Sequence, residues 1–544
     1  MTFLLRLPVP FATQNAACHI GFAVGPFYFP NRMHRLKFGE KAINLLNVKN
    51  AMKALLINPE YPDTYWSFKH ALRFISKKAA YPPLGLLTVA AMLPEDWEVK
   101  LADLNTSGLT DQQIRWADLV LISAMSVQTA SVREIIARCK VLDKKIVAGG
   151  PLFTAEYDKF NDVDVLVLNE AEITLPLFLH DLETGNEKRI YQTNDYADLS
   201  MTPLPDLSLI RHSDYASMSI QFSRGCPFNC EFCDITALLG HKYRIKPVGQ
   251  IIRELDNLRH TGWKGNVFFV DDNFIGNKPV LKKHLLPAII QWMKQNGHPF
   301  SFTTEASVNL SDDAELMQMM VEAGFFKVFV GIETPDEQSL AECNKTQNHH
   351  RELLDCVQVI QKAGMEVSAG FIVGFDNDKP DIFQRQIDFI QKSGIISAMV
   401  GLLNAPRKTQ LYKRLEQEGR ILSDFTGDQT SYHINFKPRM EMAVLLEGYQ
   451  KIIHGIYSSK MFYERVKMFL KSFDPPARVN RKLSMNRLMA FLKSMYIIGI
   501  LGEERRYYWD LLIWSLLRKP RVFPLAVTYS IQGYHFRRVF RELS

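Results

Sequence analysis

The residues best suited to chemistry lie in one short segment, Ser223-Arg224-Gly225-Cys226-Pro227-Phe228-Asn229-Cys230-Glu231-Phe232-Cys233-Asp234. Three of the seven cysteines fall here with the spacing C-x3-C-x2-C, while Cys18, Cys139, Cys343 and Cys356 are scattered. Three thiolates on a loop containing Gly and Pro can converge on one soft metal centre. A closed tetrahedral zinc site would want a fourth Cys or His at motif spacing. The next histidine, His241, comes only after an apolar run. An iron–sulfur cube on Cys226, Cys230 and Cys233 would keep one iron without a protein ligand, open to a small molecule. Phe232, just before the last cysteine, would shield such a cluster.

The rest of the chain must position that loop. At 544 residues it is too long for one ordinary core, so two or three domains are expected. A hydrophobic fraction of 47% and a charged fraction of 23% are those of a globular protein. An odd number of cysteines without framework spacing argues against a disulfide scaffold, and an oxygen-sensitive cluster argues for the cytoplasm. No uncharged run reaches the roughly 18 residues of a membrane-spanning helix. The apolar start at Phe3-Leu4-Leu5 lacks the charge and cleavage site of a signal peptide. Residues 1–51 show no clear period, and read either as an extension without fixed structure or as a consequence of start-site choice.

From 52 to 185, short apolar runs alternate with helical patterns. Strands are expected at Lys53 to Pro59, Trp97 to Ala102, Leu119 to Ser123, Lys145 to Ala148 and Val163 to Leu168, with helices at Leu84 to Met92 and Ser131 to Leu142. This alternation implies a Rossmann-like parallel sheet, whose ligands bind beyond the C-terminal strand ends. Those ends carry Asp103, Asn105 and Gly108, then Ser123, then Gly149-Gly150, then Asn169-Glu170-Ala171-Glu172. A Gly pair lets a large flat ligand approach the backbone. No G-x-G-x-x-G follows the first strand, which argues against a dinucleotide.

Residues 186–215, with Pro203-Leu204-Pro205-Asp206, read as a linker. From 216 to 410 six strand–helix units follow, with strands at Met218 to Phe222, Asn266 to Val270, Phe300 to Thr304, Lys327 to Ile332, Glu366 to Val373 and Ser397 to Leu402. The fold class is α/β: a Rossmann-like domain, then a six-stranded partial (β/α) barrel with its site at the C-terminal strand ends. Asp271-Asp272-Asn273, Glu305, Glu333, Gly370 and Gly374 stand at or near those ends.

Residues 411–544 read as a mainly helical, basic extension. From Lys451 to Ser544 there are 18 Lys+Arg against 6 Asp+Glu, so the chain's net charge of +7 resides in this tail. Tyr507 to Leu517, bracketed by Arg505-Arg506 and Arg518-Lys519, suits either a helix lying on an anionic membrane surface or a helical cap on the barrel. No basic patch with stacking aromatics on strands is evident, so nucleic acid is not an expected partner.

The cysteine spacing with Phe232 resembles the radical SAM signature, in which S-adenosylmethionine chelates the open iron of a [4Fe-4S] cluster. The strand-end set ahead of it resembles a cobalamin-binding domain, with Asn105 where that family commonly has the His of D-x-H-x-x-G. The departure leaves a protein imidazole under cobalt in doubt. The order of segments resembles cobalamin-dependent radical SAM enzymes with the extension of hopanoid C-2 methylases. The resemblance implies that Asp271, Asp272 and Asn273 occupy the place of the Gly-Gly-Glu segment that contacts the methionine ammonium. It also makes Glu305 and Glu333 candidates for ribose hydroxyls or polar lining, and lets the adenine lie against Gly370 and Gly374. For each carboxylate a cap or ion pair is the competing reading. The implied activity is methylation of an unactivated carbon, with a small-molecule or lipid substrate such as a hopanoid and a flavodoxin- or ferredoxin-type electron donor. The implied place is the cytoplasm or the inner membrane face. An oxidative cyclase of tetrapyrrole type and a non-catalytic cobalamin or redox sensor are the alternatives.

Overall fold

Two parallel six-stranded sheets, joined in sequence, carry the strand ends just described. The computed structural model describes residues 51–475 and 485–542. The expected N-terminal extension, with Cys18, therefore lies outside the described residues except for Ala51.

The first sheet consists of β1 (Lys53–Asn58), β2 (Glu98–Asp103), β3 (Leu119–Ser123), β4 (Lys145–Gly149), β5 (Val165–Val167) and β6 (Ile190–Tyr191), in the spatial order β2-β1-β3-β4-β5-β6. Near-continuous apolar runs such as Leu55, Leu56 and Ile57, all fully buried, are what a parallel strand covered on both faces requires. Register brings Ser123 beside Gly149 and Gly149 beside Val167 at the C-terminal edge. β6 falls inside the segment expected to be a linker. Two residues are too few to leave an alternating pattern, and their pairing with β5 comes from tertiary contact.

The second sheet starts with β7 (Ser217–Ile220), after which a short antiparallel pair, β8 (Ser223–Arg224) and β9 (Arg244–Ile245), brackets the cysteine loop. It continues with β10 (Gly265–Phe269), β11 (Phe300–Ala306), β12 (Phe325–Glu333), β13 (Glu366–Val373) and β14 (Ala398–Leu402). Neighbours in space are neighbours in order, from β7 to β14, which is the open half-barrel expected. Alternation along β11 puts Phe300, Phe302, Thr304 and Ala306 into the outer core and leaves Ser301, Thr303 and Glu305 toward the interior.

The C-terminal helices are built against this barrel. The helix Met442–Tyr457 covers β14, an edge strand whose open carbonyls would otherwise be a pairing hazard. Tyr449 and Tyr457 donate their hydroxyls to the carbonyls of Val400 (3.1 Å) and Ala398 (2.6 Å). Two tail arginines are interior: Arg465 bonds Gln391 Oε1 (2.9 Å) and the Ile456 carbonyl (3.0 Å), and Arg537 pairs with Glu504 (2.7 Å). The stretch Tyr507 to Leu517 is not a free amphipathic surface. Tyr508, Leu511, Leu512 and Ser515 face inward, and Trp509 Nε1 donates to the Gly499 carbonyl at 2.9 Å. The exposed apolar face lies mostly on the preceding segment, where Met485, Met489, Leu492, Tyr496 and Ile500 form one stripe at helical spacing. Leu501, Ile513, Leu516 and Leu517 are also exposed. Among the described residues, no helix is long and apolar enough to cross a membrane.

Candidate functional site

The cysteine loop is held from four directions. Asp271, fully buried just past β10, accepts from the backbone N–H groups of Phe222 (3.1 Å) and Ser223 (2.5 Å) and from the Ser223 hydroxyl. Gly225 has φ of +89°, and a Cβ there would fall 2.6 Å from the Lys242 carbonyl oxygen, so no other residue fits the turn. Arg224 reaches back to the first sheet, donating to Glu170 (3.0 Å) and to both carboxylate oxygens of Glu172 (3.0 and 2.7 Å). Glu231, between the second and third cysteines, takes a two-pronged bond from Arg414 (2.7 and 3.1 Å).

Within that frame Cys230 is buried, while Cys226 and Cys233 are half-buried. Burial pushes the thiols of Cys226 and Cys233 up. A metal would displace those protons, and an all-thiolate donor set suits iron–sulfur chemistry. Lys345 and Gln347, both outside the expected site, complete the surroundings. Gln347 Nε2 lies 3.7 Å from Cys230 Sγ. The Lys345 ammonium bonds Glu333 at 2.6 Å and sits 5.9 Å from the centre of the Phe232 ring. Neither residue belongs to a spaced motif, so nothing in the sequence marked them.

The strand-end residues of the barrel divide by where their side chains go. Asp271 is spent on the loop backbone and does not face the interior, a correction to its expected role. Asn273 is likewise engaged elsewhere, its Oδ1 accepting from the N–H (3.2 Å) and hydroxyl (3.3 Å) of Ser307. Asp272 does face open space. Its Oδ2 is buried without a partner, and burial with the nearby Asp271 and Asp234 pushes its carboxyl up to about 7. Glu305 projects into the barrel, where burial together with Asp272 and Asp271 pushes it up to about 8. Glu333 adopts φ of +65° at a register shift between β12 and β13, and its carboxylate is committed to Lys345. Gly370 lies beside Gly331 and Met399, and a Cβ there would come 3.1 Å from the Phe329 ring. Gly374 has φ of +108° and donates its N–H to Asp378 (2.8 Å).

Two aromatic side chains from the connection between β1 and β2 lie over this interior. Trp66 packs edge-on against Phe329 (5.3 Å between centroids), and its Nε1 is 3.1 Å from Met399 Sδ. Tyr81 packs against Phe268 at 5.2 Å. Trp66 and Tyr81 remain 42% and 40% exposed as residues, so they are not enclosed in a filled core.

The first sheet's candidates also divide. Ser123, Gly149 and Gly150 line a cavity of about 450 Å³ that runs from the ends of β3 and β4 to Arg224 and Asp272. The glycines are required: a Cβ at Gly149 would lie 2.6 Å from the Val167 carbonyl oxygen, and one at Gly150 2.5 Å from Ser123 Oγ. Asp103, Asn105 and Gly108 do not line this cavity. Asp103 Oδ1 accepts from Asn58 Nδ2 (2.9 Å), and its Oδ2 from the Tyr215 hydroxyl (2.8 Å). Asn105 is fully engaged, accepting from the Tyr61 N–H (2.9 Å) and donating to the Pro59 carbonyl (3.1 Å) and Asp103 (2.8 Å). Asn105 is thus tied to Tyr61, Pro59 and Asp103 and lies outside the cavity lining.

Comparison with known proteins identifies the segments that carry these two sheets. The B12 binding domain family matches residues 74–179, the radical SAM superfamily 220–390, and a domain of unknown function, DUF4070, 409–544. An uncharacterised methyltransferase of Synechocystis sp. is 40% identical over 501 residues, 90% of this chain and 92% of its own. The hopanoid C-2 methylase of Rhodopseudomonas palustris is 32% identical over 483 residues, 86% of this chain and 90% of its own. The chain belongs to the cobalamin-binding radical SAM methyltransferases. Its cofactors are a [4Fe-4S] cluster, S-adenosylmethionine and cobalamin. The fold agrees: the radical SAM methyltransferase TsrM from Kitasatospora setae, solved with cobalamin and a [4Fe-4S] cluster, superposes with a TM-score of 0.58 at 16% identity, covering 91% of this chain and 100% of that one.

Proposed function

We propose that this enzyme methylates an unactivated carbon of an apolar isoprenoid lipid of the hopanoid class. The observation that carries the reading is the single cavity joining the Ser123, Gly149 and Gly150 cradle to Arg224 and Asp272 beside the cysteine loop. In this reading Cys226, Cys230 and Cys233 hold the cluster, Asp272 and Glu305 supply polar contacts to S-adenosylmethionine, and Ser123, Gly149 and Gly150 seat the corrinoid. Gly370 and Gly374 shape the strand edge near the adenine, and Glu333 acts by holding Lys345 toward the cluster thiols. When bound, the cluster with S-adenosylmethionine supplies a hydrogen-abstracting radical, and the corrinoid supplies a methyl group.

The protein's own part is orientation and exclusion of water. Asp271, Arg224 and Arg414 hold the loop in place before any cofactor arrives, which lowers the ordering cost of binding. Trp66, Tyr81, Phe268 and Phe329 offer an apolar border with few hydrogen-bonding groups, as a hydrocarbon substrate needs. The substrate class rests on that border and on the hopanoid methylase relative. The stripe from Met485 to Ile500, followed closely in the chain by Arg505 and Arg506, would meet the inner membrane face, where such a substrate resides. An electron donor of flavodoxin or ferredoxin type would reduce the cluster.

The test is an anaerobic assay of the reconstituted enzyme with methyl-labelled S-adenosylmethionine and hopanoid-containing vesicles. The expected result is a labelled hopanoid with 5′-deoxyadenosine and S-adenosylhomocysteine, all lost in Cys230→Ala. Labelling of a tetrapyrrole but not of any hopanoid would overturn the substrate class. 5′-Deoxyadenosine without methyl transfer would favour the cyclase outcome.

A further inference from the structure

The connection between β1 and β2 brings together donor atoms that the methylation chemistry does not use. Asp63, His70 and His535 each place one donor atom within 4.8 Å of the other two. Asp63 and His70 belong to the connection that carries Trp66, and His535 to the last helix, Phe523–Glu542.

His535 is the informative member. It is fully buried, and its Nε2 lies 3.1 Å from the Tyr65 carbonyl oxygen. A carbonyl only accepts, so Nε2 carries the proton and Nδ1 keeps its lone pair. Nδ1 has no hydrogen-bond partner. Leaving a buried acceptor unsatisfied is destabilising. The arrangement is nonetheless what a metal-ligating histidine shows, one nitrogen donating to a backbone carbonyl and the other free. The ring is wedged against Phe68 (5.3 Å) and Phe536 (5.6 Å), so it cannot turn away.

The other two donors are arranged to match. His70 Nε2 lies 2.7 Å from Asp63 Oδ2, while Asp63 Oδ1 accepts from the Ser67 hydroxyl at 3.0 Å. Around a tetrahedral ion with bonds of about 2.0–2.1 Å, ligand atoms stand roughly 3.3 Å apart, so this pair would open by a fraction of an ångström. The Asp63 side chain is 29% exposed and that of His70 11%, leaving one side for entry and for a water ligand.

We propose that Asp63, His70 and the Nδ1 of His535 bind a zinc ion that fastens the β1–β2 connection to the C-terminal helix. Two imidazoles and one carboxylate suit a borderline ion such as zinc, with solvent in the remaining position. The site is far in sequence from the cluster cysteines and shares no residue with the cavity above. Its consequence for the enzyme would be mechanical. The same connection places Trp66 on Phe329 and Met399, so fixing its end fixes an aromatic border of the barrel interior.

The experiment uses full-length enzyme with its cluster reconstituted, so that the cysteine thiols are occupied. The enzyme is exposed to zinc chloride and desalted, zinc is counted by mass spectrometry, and its surroundings are read at the zinc X-ray edge. About one zinc per chain is expected, with nitrogen and oxygen neighbours at about 2.0–2.1 Å and none of the sulfur expected at about 2.3 Å. Asp63→Asn and His70→Ala should each weaken binding at least about tenfold. Both residues are partly exposed, so these variants keep the test valid even if His535→Gln fails to fold. Added zinc should raise the melting temperature of the unaltered enzyme and not of the two variants. Equal zinc content in all three proteins, or a sulfur-ligated zinc, would overturn the proposal. These readouts do not depend on which substrate is methylated.

Discussion

Replacing Arg224 by Met should destabilise the enzyme by about 3–5 kcal/mol, the cost of leaving a buried carboxylate without its partner. The side chains involved are nearly enclosed: Arg224 is 13% exposed, Glu170 4% and Glu172 7%. Glu170 would survive the change, because Arg244 still donates to both its oxygens (3.0 and 2.8 Å) and the Ala197 N–H lies at 2.6 Å. Glu172 would keep the Thr202 hydroxyl at 2.8 Å and its own backbone N–H, but no cation. The loss therefore falls on one residue, and Glu172→Gln added to Arg224→Met should recover most of it, since a neutral amide needs no counter-charge. Acidity supplies a second check. Burial works to raise the Glu172 carboxyl, but the bonds and charge of Arg224 outweigh it and hold the group below its ordinary value. Its contribution is thus complete above the unfolded carboxylate value of about 4.3 and is lost as pH falls through the lower folded value. In Arg224→Met burial outweighs the remaining hydrogen bonds, the folded value rises, and the deficit should shrink between pH 8 and pH 5. Urea unfolding of the single and double variants across that range measures this. A deficit below about 0.5 kcal/mol, or one that the second substitution does not reduce, would refute the reasoning.

Gly150→Ala should lose cobalamin and cost about 1–3 kcal/mol, because φ of +87° with ψ of −176° is a region open almost only to glycine. Corrinoid absorbance after desalting, with a melting curve, reads both effects. Asn105→Ala should cost about 1–3 kcal/mol by orphaning the Tyr61 N–H. The cobalt(II) electron paramagnetic resonance spectrum should be the same in both proteins, and a change of spectrum on the substitution would contradict the engaged geometry of Asn105. Leu492→Glu with Ile500→Glu should reduce co-sedimentation with anionic vesicles severalfold while leaving the fold unchanged, since both side chains already face solvent. Unaltered sedimentation would remove the stripe as a membrane contact.

The sequence by itself determined the features written in local chemistry. The C-x3-C-x2-C spacing marks a loop because three thiols within a few residues can meet at one metal whatever surrounds them. The two βα series were legible because each buried parallel strand is a short apolar run, and each run repeats the signal of the last. Gly149 and Gly150 stood out as a place of close backbone approach because a Gly pair at a strand end has few structural uses, and both line the cavity. Only the tertiary structure decided which polar residues remain available. Asp271, Asp272 and Asn273 are adjacent, yet one binds loop backbone, one faces the cavity and one braces β11, because successive side chains at a strand end diverge. Lys345 and Gln347 reach the cysteine loop, and His535 reaches Asp63 and His70, through chain folding that leaves no spacing in the sequence. The tail shows the same limit. Its charge count is a property of composition, but Arg465 and Arg537 are interior, and the exposed apolar stripe lies on the segment before Tyr507 to Leu517. Burial is set by what packs against a helix, and that information belongs to the partner elements rather than to the helix itself.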